Sequence, residues 1–268
     1  MIKLIAIDVD GTLINSKERI NPRDKKAIMM AKEEGVHICI ATGRPYKGIV
    51  KYLKELNIMD TDNFSITNNG SYIQRNSDGE LVFENSLSKD DIGVILDHLS
   101  GYESLEPCVI NDDEFTCMTK PTRPRIFTDS AYIEMPILPG DFSSLKDDDS
   151  FAKVLGYGDE EVLQRWIKNN PKGIPGFSSV LATPDCYEVM PLGISKGSGL
   201  KNLAEKFGYK PSEVMCFGDE LNDKEMFEFA GLSIAMGNAN REIKKIADYI
   251  TSSCEEDGIY HAIKNLVL

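Results

Sequence analysis

The sequence predicts an α/β protein in which a doubly wound parallel sheet is interrupted by a smaller inserted α+β domain. Short apolar strands alternate with helical segments near both ends of the chain, whereas the middle holds short strand-like pieces with few helices. The chain of 268 residues is long enough for one large domain or two modest ones, and 41% of its residues are hydrophobic.

The N-terminal part alternates strand and helix. We expect a helix that begins at Pro22 after an Asn21 cap, runs to about Glu34 and ends at Gly35. The segments on either side read as buried strands, and an Asn-Gly pair further on predicts a hairpin. This alternation is typical of a Rossmann-like core. The two strands are "KLIAID" and "VHICIATG", the next helix is "YKGIVKYLKELN", and the hairpin lies in "NFSITNNGSYIQ".

The composition changes after Glu84 and changes back near Met190. The segment between them contains the Pro-rich "KPTRPRIF", the acidic run "LKDDDS" and two helical stretches, "KDDIGVILDHLS" and "DEEVLQRWIKNN". Alternation of helix and strand resumes with "SKGSGLKNLAEKFG" and "EVMCFGD". We therefore predict a discontinuous core domain of residues 1–84 and 190–268, with an inserted α+β domain of residues 85–189.

The charge balance limits the classes of partner. Lys plus Arg number 30 and Asp plus Glu number 43, for a net charge of -13. Such a surface argues against nucleic acid and against anionic membranes as main partners, and a phosphate site here needs a cation of its own. No apolar run approaches the roughly 18 residues of a membrane span, and the N-terminus does not read as a signal peptide.

The cysteines and histidines show no ligand spacing. The six cysteines are scattered without a C-x-x-C pair, and Cys39 and Cys216 lie in apolar strand-like runs. We expect reduced thiols and a cytoplasmic protein. Zinc is not expected, because the three histidines are also isolated from one another.

Polar residues gather where the predicted parallel strands end. Asp8 and Asp10 follow the first strand, and burying two carboxylates so close together costs free energy unless something neutralises them. Ligands of such sheets bind beyond the carboxyl ends of the strands. The other segments that reach this edge supply Thr42 and Gly43, Lys196, and the group Asp219, Asn222 and Asp223.

Each segment taken alone has another interpretation. Thr42 and Gly43 read equally well as a strand-ending turn, Lys196 as a surface lysine, and Asn222 or Asp223 as a helix cap. Their joint occurrence favours a phosphoryl site. Mg²⁺ prefers hard oxygen ligands, and a metal ion together with a lysine offsets repulsion between a carboxylate nucleophile and a phosphate dianion.

The motifs "DVDGTL", "ATGR", "SKGSGL" and "GDELND" together resemble the haloacid dehalogenase superfamily. They look most like its Cof-like phosphatases, which carry a large α/β cap (type IIB) between the second and third motifs. The resemblance implies an Asp8 nucleophile that forms an aspartyl-phosphate and an Asp10 general acid and base. It further implies phosphate binding by Thr42, Gly43, Lys196 and Asn222, and a Mg²⁺ site formed by Asp8, Asp219 and Asp223 with a carbonyl near Asp10.

Within the superfamily that the chain resembles, an acid at the position of Asp10 implies protonation of an alkoxide leaving group. We therefore expect a Mg²⁺-dependent phosphomonoesterase acting on small phosphorylated metabolites, sugar phosphates above all. A phosphomutase of the same superfamily is the enzymatic alternative, although mutases typically carry a smaller cap after the first motif. A catalytically silent phosphosugar-binding regulatory protein is the other alternative, but it is expected to lose Asp8, Asp10 or Lys196 first.

The sequence leaves the selection of the substrate open. The inserted domain offers polar candidates that the sequence does not rank. Two roles are open for Arg44, contact with the substrate or pairing with a nearby acid, and two for Asn69, lining the site or only making the turn. Glu220 has no assigned role. The oligomeric state is not predicted. The candidates of the inserted domain are Asn111, Asp113, Lys153 and Tyr187.

Overall fold

A computed structural model describes residues 1–102 and 104–268. The chain divides into a core unit, Met1–Phe83 with Ser195–Leu268, and an inserted unit, Glu84–Ile194. The return to the core unit lies after Ile194 rather than at the expected position 189. The last strand of the inserted unit runs on to Pro191 and pairs there with its neighbour, so the chain leaves that sheet later than composition alone suggested.

The elements follow one another along the chain as three groups. The first group is β1 (Leu4–Ile7), α1 (Pro22–Glu33), β2 (His37–Ala41), α2 (Val50–Glu55), β3 (Phe64–Thr67), β4 (Tyr72–Arg75) and β5 (Leu81–Glu84). The inserted unit holds α3 (Lys89–Ser100), β6 (Glu106–Ile110), β7 (Phe115–Cys117), α4 (Pro124–Tyr132), β8 (Ile137–Pro139), β9 (Lys153–Tyr157), α5 (Glu160–Asn169), β10 (Phe177–Thr183) and β11 (Cys186–Pro191). The last group is α6 (Lys196–Phe207), β12 (Val214–Gly218), α7 (Lys224–Phe229), β13 (Leu232–Ala235), α8 (Arg241–Ile246), β14 (Tyr249–Ile250) and α9 (Gly258–Leu266).

The core unit is built on an eight-stranded sheet in the order β14-β13-β12-β1-β2-β3-β4-β5. The pairs from β14 to β3 are parallel, and β3 and β4 form the antiparallel hairpin that the Asn-Gly pair predicts. The α/β prediction is confirmed. The chain runs outward from β1 to β2 on one side and later adds β12 on the other, so the order switches between β1 and β12. Such a switch point opens a crevice at the carboxyl ends of the strands.

The first strand is aliphatic because both of its faces are covered. All four residues of β1 are fully buried, and it pairs with β2 and β12 on its two edges. Central parallel strands carry this continuous apolar pattern, since helices pack on both sides of the sheet. No helix among the described residues has the length and apolarity that crossing a bilayer requires.

The first helix begins and ends close to the predicted residues, but its cap differs. Asn21 occupies the N-cap position, yet its side chain accepts no hydrogen bond from the helix. Its Nδ2 donates to the carbonyl of Cys254 at 2.8 Å, and its Oδ1 accepts from Asn15 at 3.0 Å. The prediction of an Asn21 side-chain cap is therefore wrong, because tertiary contacts use both polar atoms of the amide.

The inserted unit has its own six-stranded sheet, in the order β10-β11-β9-β6-β7-β8. Residues of α3 and α5 pack against one face, in a cluster that includes Trp166, Val154 and Val189. A second cluster contains Ile126 of α4 and Leu155 of β9. Leu155 directly follows Val154, and successive side chains of a strand point to opposite faces, so this cluster covers the other face of the sheet.

Candidate active site

Two carboxylates meet at the switch point of the core sheet. Asp8 leaves β1 and Asp219 leaves β12, and only 4% and 6% of their surfaces are exposed. The chain turns after Asp10 at Gly11, whose φ of +79° favours glycine. A Cβ at this position would overlap the carboxylate of Asp219, so Gly11 allows the two loops to approach each other.

A buried lysine joins the first strand to the fourth motif. Lys196 is the first residue of α6, where Ser195 caps the helix by accepting from the Ser198 amide at 3.1 Å. Its ammonium donates to Asp8 Oδ1 at 2.6 Å and to Asp223 Oδ1 at 2.7 Å. Burial favours the neutral amine, but Asp223 and Asp8 outweigh it and raise the pKa of Lys196 above its usual value. The surface-lysine interpretation is wrong, since only 1% of Lys196 is exposed.

Asp223 is fully buried and bonded through both oxygens. Oδ1 binds Lys196, and Oδ2 accepts the backbone amides of Asp219 at 2.9 Å and Glu220 at 3.1 Å. It stands at the N-cap position of α7 but accepts no hydrogen bond from that helix. Its side chain therefore fixes the loop after β12 rather than capping α7. The side chain of Glu220, whose role the sequence left open, is exposed.

The carboxylates of Asp8, Asp219 and Asp223 place one oxygen each within 4.8 Å of one another. Burial raises the pKa of Asp8 well above its ordinary value, with Asp223, Asp219 and Asp10 adding to the shift and Lys196 opposing it. Burial likewise raises the pKa of Asp219 to about 7, against the hydrogen bond from Thr12. Three carboxylates beside one ammonium leave a formal charge of about -2. A divalent cation with hard-oxygen preference fits this buried donor set.

Two residues that the sequence did not single out hold Asp219 in place. The Thr12 hydroxyl donates to Asp219 Oδ1 at 2.8 Å, and Asn238 Nδ2 lies 3.4 Å from Oδ2. The same Nδ2 donates to the carbonyl of Gly11 at 2.8 Å, so Asn238 ties the loop after β1 to the loop after β12. Thr12 stands inside the first motif and could have been found there. Asn238 carries no chemical signal in the sequence.

Asp10 lies apart from this cluster and has a cation of its own. Arg44 binds it through two parallel hydrogen bonds, Nη2 to Oδ1 at 2.6 Å and Nε to Oδ2 at 3.0 Å. The Arg44 side chain is 3% exposed and that of Asp10 is 40% exposed. The two acids of the first motif therefore have separate cationic partners, Lys196 for Asp8 and Arg44 for Asp10.

The second motif and the hairpin lie side by side. Thr42 is buried, and its hydroxyl oxygen accepts the Arg44 amide at 3.1 Å, which leaves the hydroxyl proton for another acceptor. Asn69 follows the hairpin strand β3 and accepts from Asn222 Nδ2 at 3.4 Å. A Cβ on Gly43 would lie 3.0 Å from Asn69 Oδ1. Asn69 thus stands between the segments that carry Gly43 and Asn222.

The four candidates of the inserted unit have different surroundings. Tyr187 packs against Trp166 with ring centroids 4.5 Å apart, and its hydroxyl donates to Ser179 at 2.6 Å, so it belongs to the core of that unit. Lys153 pairs with Glu188 of the adjacent strand at 2.9 Å. Asn111 accepts the Asp113 amide at 2.8 Å in the turn between β6 and β7.

Comparisons with known proteins identify the family and the fold. Residues 5–263 match the model of a family described as haloacid dehalogenase-like hydrolase. The chain is 35% identical over 271 residues to the 5-amino-6-(5-phospho-D-ribitylamino)uracil phosphatase YcsE of Bacillus subtilis, covering 100% of this chain and 96% of the relative. It resembles a solved haloacid dehalogenase-like hydrolase from Bacteroides thetaiotaomicron, with a TM-score of 0.87, 31% identity and coverage of 99% and 100%. It also resembles the subclass IIB sugar phosphatase BT4131, with a TM-score of 0.82, 26% identity and coverage of 98% of each chain.

Proposed function

The chain belongs to the haloacid dehalogenase-like hydrolase family and is a phosphatase, and we propose that it is a Mg²⁺-dependent phosphomonoesterase of small phosphorylated metabolites. Sugar phosphates are the substrate class that we propose. One structural relative is described as a sugar phosphatase, and one sequence relative is named for a phosphorylated ribityl compound. We assign the protein to the cytoplasm on its composition alone.

The observation that carries the proposal is the contact of one buried ammonium with two carboxylates. Lys196 lies within 2.7 Å of both Asp8 and Asp223, at a site where a phosphoryl group would bring further negative charge. A fixed ammonium offsets the repulsion between a carboxylate nucleophile and a phosphate dianion. This function explains why the acidic chain buries a lysine at the start of α6, beside the end of β1.

We assign the metal ligands to the side chains of Asp8, Asp219 and Asp223 and to a backbone carbonyl at Asp10. When bound, Mg²⁺ supplies positive charge that offsets the charge of the carboxylates and of the phosphoryl oxygens. Thr12 and Asn238 orient Asp219 for this role, since both approach its oxygens.

In the proposed first step, a carboxylate oxygen of Asp8 attacks phosphorus. The bond from phosphorus to the ester oxygen breaks, its electron pair stays on that oxygen, and Asp10 donates the proton that releases an alcohol. Lys196, the Thr42 hydroxyl and the amide of Gly43 bind the phosphoryl oxygens. Asn222 lies at the edge of the site beside Asn69, and we assign it to substrate binding.

In the second step, the Asp10 carboxylate takes a proton from water, which attacks the phosphorus of the aspartyl-phosphate. The bond between phosphorus and the Asp8 oxygen breaks, which releases inorganic phosphate and regenerates both carboxyl groups. Arg44 keeps Asp10 oriented through both steps by its two hydrogen bonds.

We propose that the inserted unit selects the substrate. Lys153 and Glu188 form an ion pair whose side chains are 8% and 12% exposed, and the turn at Asn111 presents further polar groups. These residues can recognise the hydroxyl groups of a sugar through hydrogen bonds, whereas Tyr187 is committed to the core of the unit.

A panel of phosphorylated metabolites tests the proposal. Purified protein should release phosphate from a subset of sugar phosphates with Mg²⁺ and from none in EDTA. Lys153→Met should reorder the preferred substrates, while Lys196→Ala should depress all of them, because every substrate shares the phosphoryl group. Full activity in EDTA, or reordering by Lys196→Ala alone, would overturn the assignment.

A further inference from the structure

We propose that Cys108 and Cys117 of the inserted unit form a reversible disulfide, and that the pair is a redox modification site separate from the phosphatase site. The two residues lie directly opposite each other on the antiparallel strands β6 and β7. Their sulfur atoms are 2.9 Å apart without a bond between them.

The register of the two strands places this pair at the position that a disulfide requires. The Met118 amide donates to the carbonyl of Pro107, and the Asn111 amide donates to that of Glu114. Hydrogen-bonded and non-hydrogen-bonded pairs alternate along an antiparallel ladder, so the Cys108–Cys117 pair between them is non-hydrogen-bonded. Cα atoms of such pairs are about 4.5 Å apart, within the range that a disulfide spans. The bond can therefore form without a shift of either strand.

The surroundings make this pair differ from the other cysteines. Cys39 and Cys216 both lie opposite Ala6, one on each side of β1, so about 10 Å of sheet separates them. Cys186 lies on β11, and β9 runs between β11 and β6. Cys254 lies outside the strands, so among the described cysteines only Cys108 and Cys117 face each other on neighbouring strands.

Burial makes the reaction slow in the folded protein without preventing it. Cys108 and Cys117 are 0% and 1% exposed. The contact with Cys117 and burial raise the pKa of Cys108, whereas the hydrogen bond with Cys108 lowers the pKa of Cys117, so Cys117 is the thiol that more readily forms the attacking thiolate. β7 has three residues and pairs with the three-residue strand β8, so local opening of these short strands exposes the sulfurs more readily than opening of the sheet centre.

A small disulfide such as oxidised glutathione is a sufficient oxidant. One cysteine thiolate attacks a glutathione sulfur, forming a mixed disulfide and expelling one glutathione thiolate, which takes up the proton. The second cysteine then attacks the mixed disulfide and expels the second glutathione. The pair loses two electrons and two protons, and two molecules of reduced glutathione are formed. The product ties β7 to β6 and closes the hairpin that carries Asn111.

Equilibration in glutathione buffers of graded redox ratio tests the inference. Full-length protein should be started both fully reduced and pre-oxidised, in dilute urea below the unfolding transition, so that burial does not block exchange. After quenching by alkylation, mass spectrometry of a non-reduced digest should show one linked peptide pair containing Cys108 and Cys117. Two of the six thiols should be lost, and dithiothreitol should restore them.

Cys186→Ser is the matched control, because it removes a buried thiol of the same unit and should leave the cross-link unchanged. Cys117→Ser and Cys108→Ala should each abolish it. The cross-linked wild type should unfold at a temperature higher by about 5 °C, since the closed loop restricts the unfolded chain. Thiols that stay reduced from both starting states at every ratio, or a link to another cysteine, would overturn the proposal.

Discussion

Arg44 binds both carboxylate oxygens of Asp10 at 2.6 Å and 3.0 Å, although 34 positions separate the two residues in the sequence. The guanidinium is buried and the carboxylate is partly exposed, so a fixed group orients a group that can reach a ligand. Bidentate pairing of this kind fixes direction as well as charge. It suits a carboxyl group that must deliver a proton to one oxygen of the substrate.

The loss of rate that Asp10→Asn causes in the first step should depend on the leaving group. A sugar alkoxide needs a proton to leave, whereas p-nitrophenolate is a weak base and leaves without one. Asp10→Asn should therefore slow phosphorylation by alkyl phosphates on the order of 10²–10⁴-fold more than phosphorylation by p-nitrophenyl phosphate. Single-turnover kinetics with both substrates measure the difference. Equal losses would mean that Asp10 does not donate this proton.

Arg44→Lys should lower kcat more than it raises KM, because a lysine keeps the positive charge but loses the fork that orients Asp10. We expect a loss of roughly tenfold or more with an alkyl phosphate and a smaller loss with p-nitrophenyl phosphate. In an Asp10→Asn background, Arg44→Lys should have little further effect on the first step, since it acts through Asp10.

Arg75 provides the control for this substitution. It also forms a two-point pair, with Asp78, but on the surface of the core unit. Arg75→Lys should leave kcat and its leaving-group dependence unchanged. Additive losses in the Arg44→Lys and Asp10→Asn double variant would show that Arg44 does not act through Asp10.

Magnesium should raise the melting temperature of the wild type, because a ligand that binds only the folded state stabilises it. Asp219→Asn should remove most of this shift by removing one ligand from the buried cluster. Asp148→Asn, at an exposed acid of the inserted unit, is the charge-matched control and should keep the shift. Thermal denaturation followed by circular dichroism measures it, and an equal magnesium response in all three proteins would refute the assigned site.

A buried aspartate that is not part of the candidate site should make stability depend on pH. Asp24 of α1 is 1% exposed, and its Oδ1 accepts the Tyr260 amide in the first turn of α9 at 2.7 Å. Burial is the main cause that raises the pKa of Asp24 to about 6, from an ordinary value of 3.8. Between these values the folded protein keeps a proton that the unfolded chain has lost.

The contribution of Asp24 to stability should therefore be present below pH 4 and fall as the pH rises through about 6. At most about 3 kcal/mol of unfolding free energy is involved, from a shift of about two pKa units. Urea denaturation of wild type and Asp24→Asn from pH 4 to pH 7 measures the difference. Parallel stability curves would show that the carboxyl group keeps its ordinary pKa.

The strand pattern and the motif positions were predictable from the sequence because they follow from local patterns. The aliphatic run before Asp8 requires a strand covered on both faces, and Pro22 and Gly35 mark the limits of the first helix. Parallel strands bring their carboxyl ends together, so the convergence of Asp8 and Asp219 also followed.

The remaining contacts depend on three-dimensional packing. Asn is a residue type that commonly caps helices, but the side chain of Asn21 binds the Asn15 amide and the Cys254 carbonyl instead. Asn238 could not be identified because its contacts join loops far apart in the sequence. The pairing of Arg44 with Asp10 was one of two open roles, and only the folded structure brings the guanidinium onto both carboxylate oxygens.

The most direct test is to trap the phosphoryl group on Asp8. Asp10→Asn should still be phosphorylated by p-nitrophenyl phosphate but should hydrolyse the aspartyl-phosphate slowly, so the phosphoenzyme accumulates. After an acid quench, mass spectrometry of the peptide containing Asp8 should show one added phosphoryl group, formed in step with a burst of nitrophenolate. The Asp8→Asn/Asp10→Asn double variant should show neither. Turnover without any covalent phosphate, or a phosphoryl group on a residue other than Asp8, would contradict the proposed mechanism.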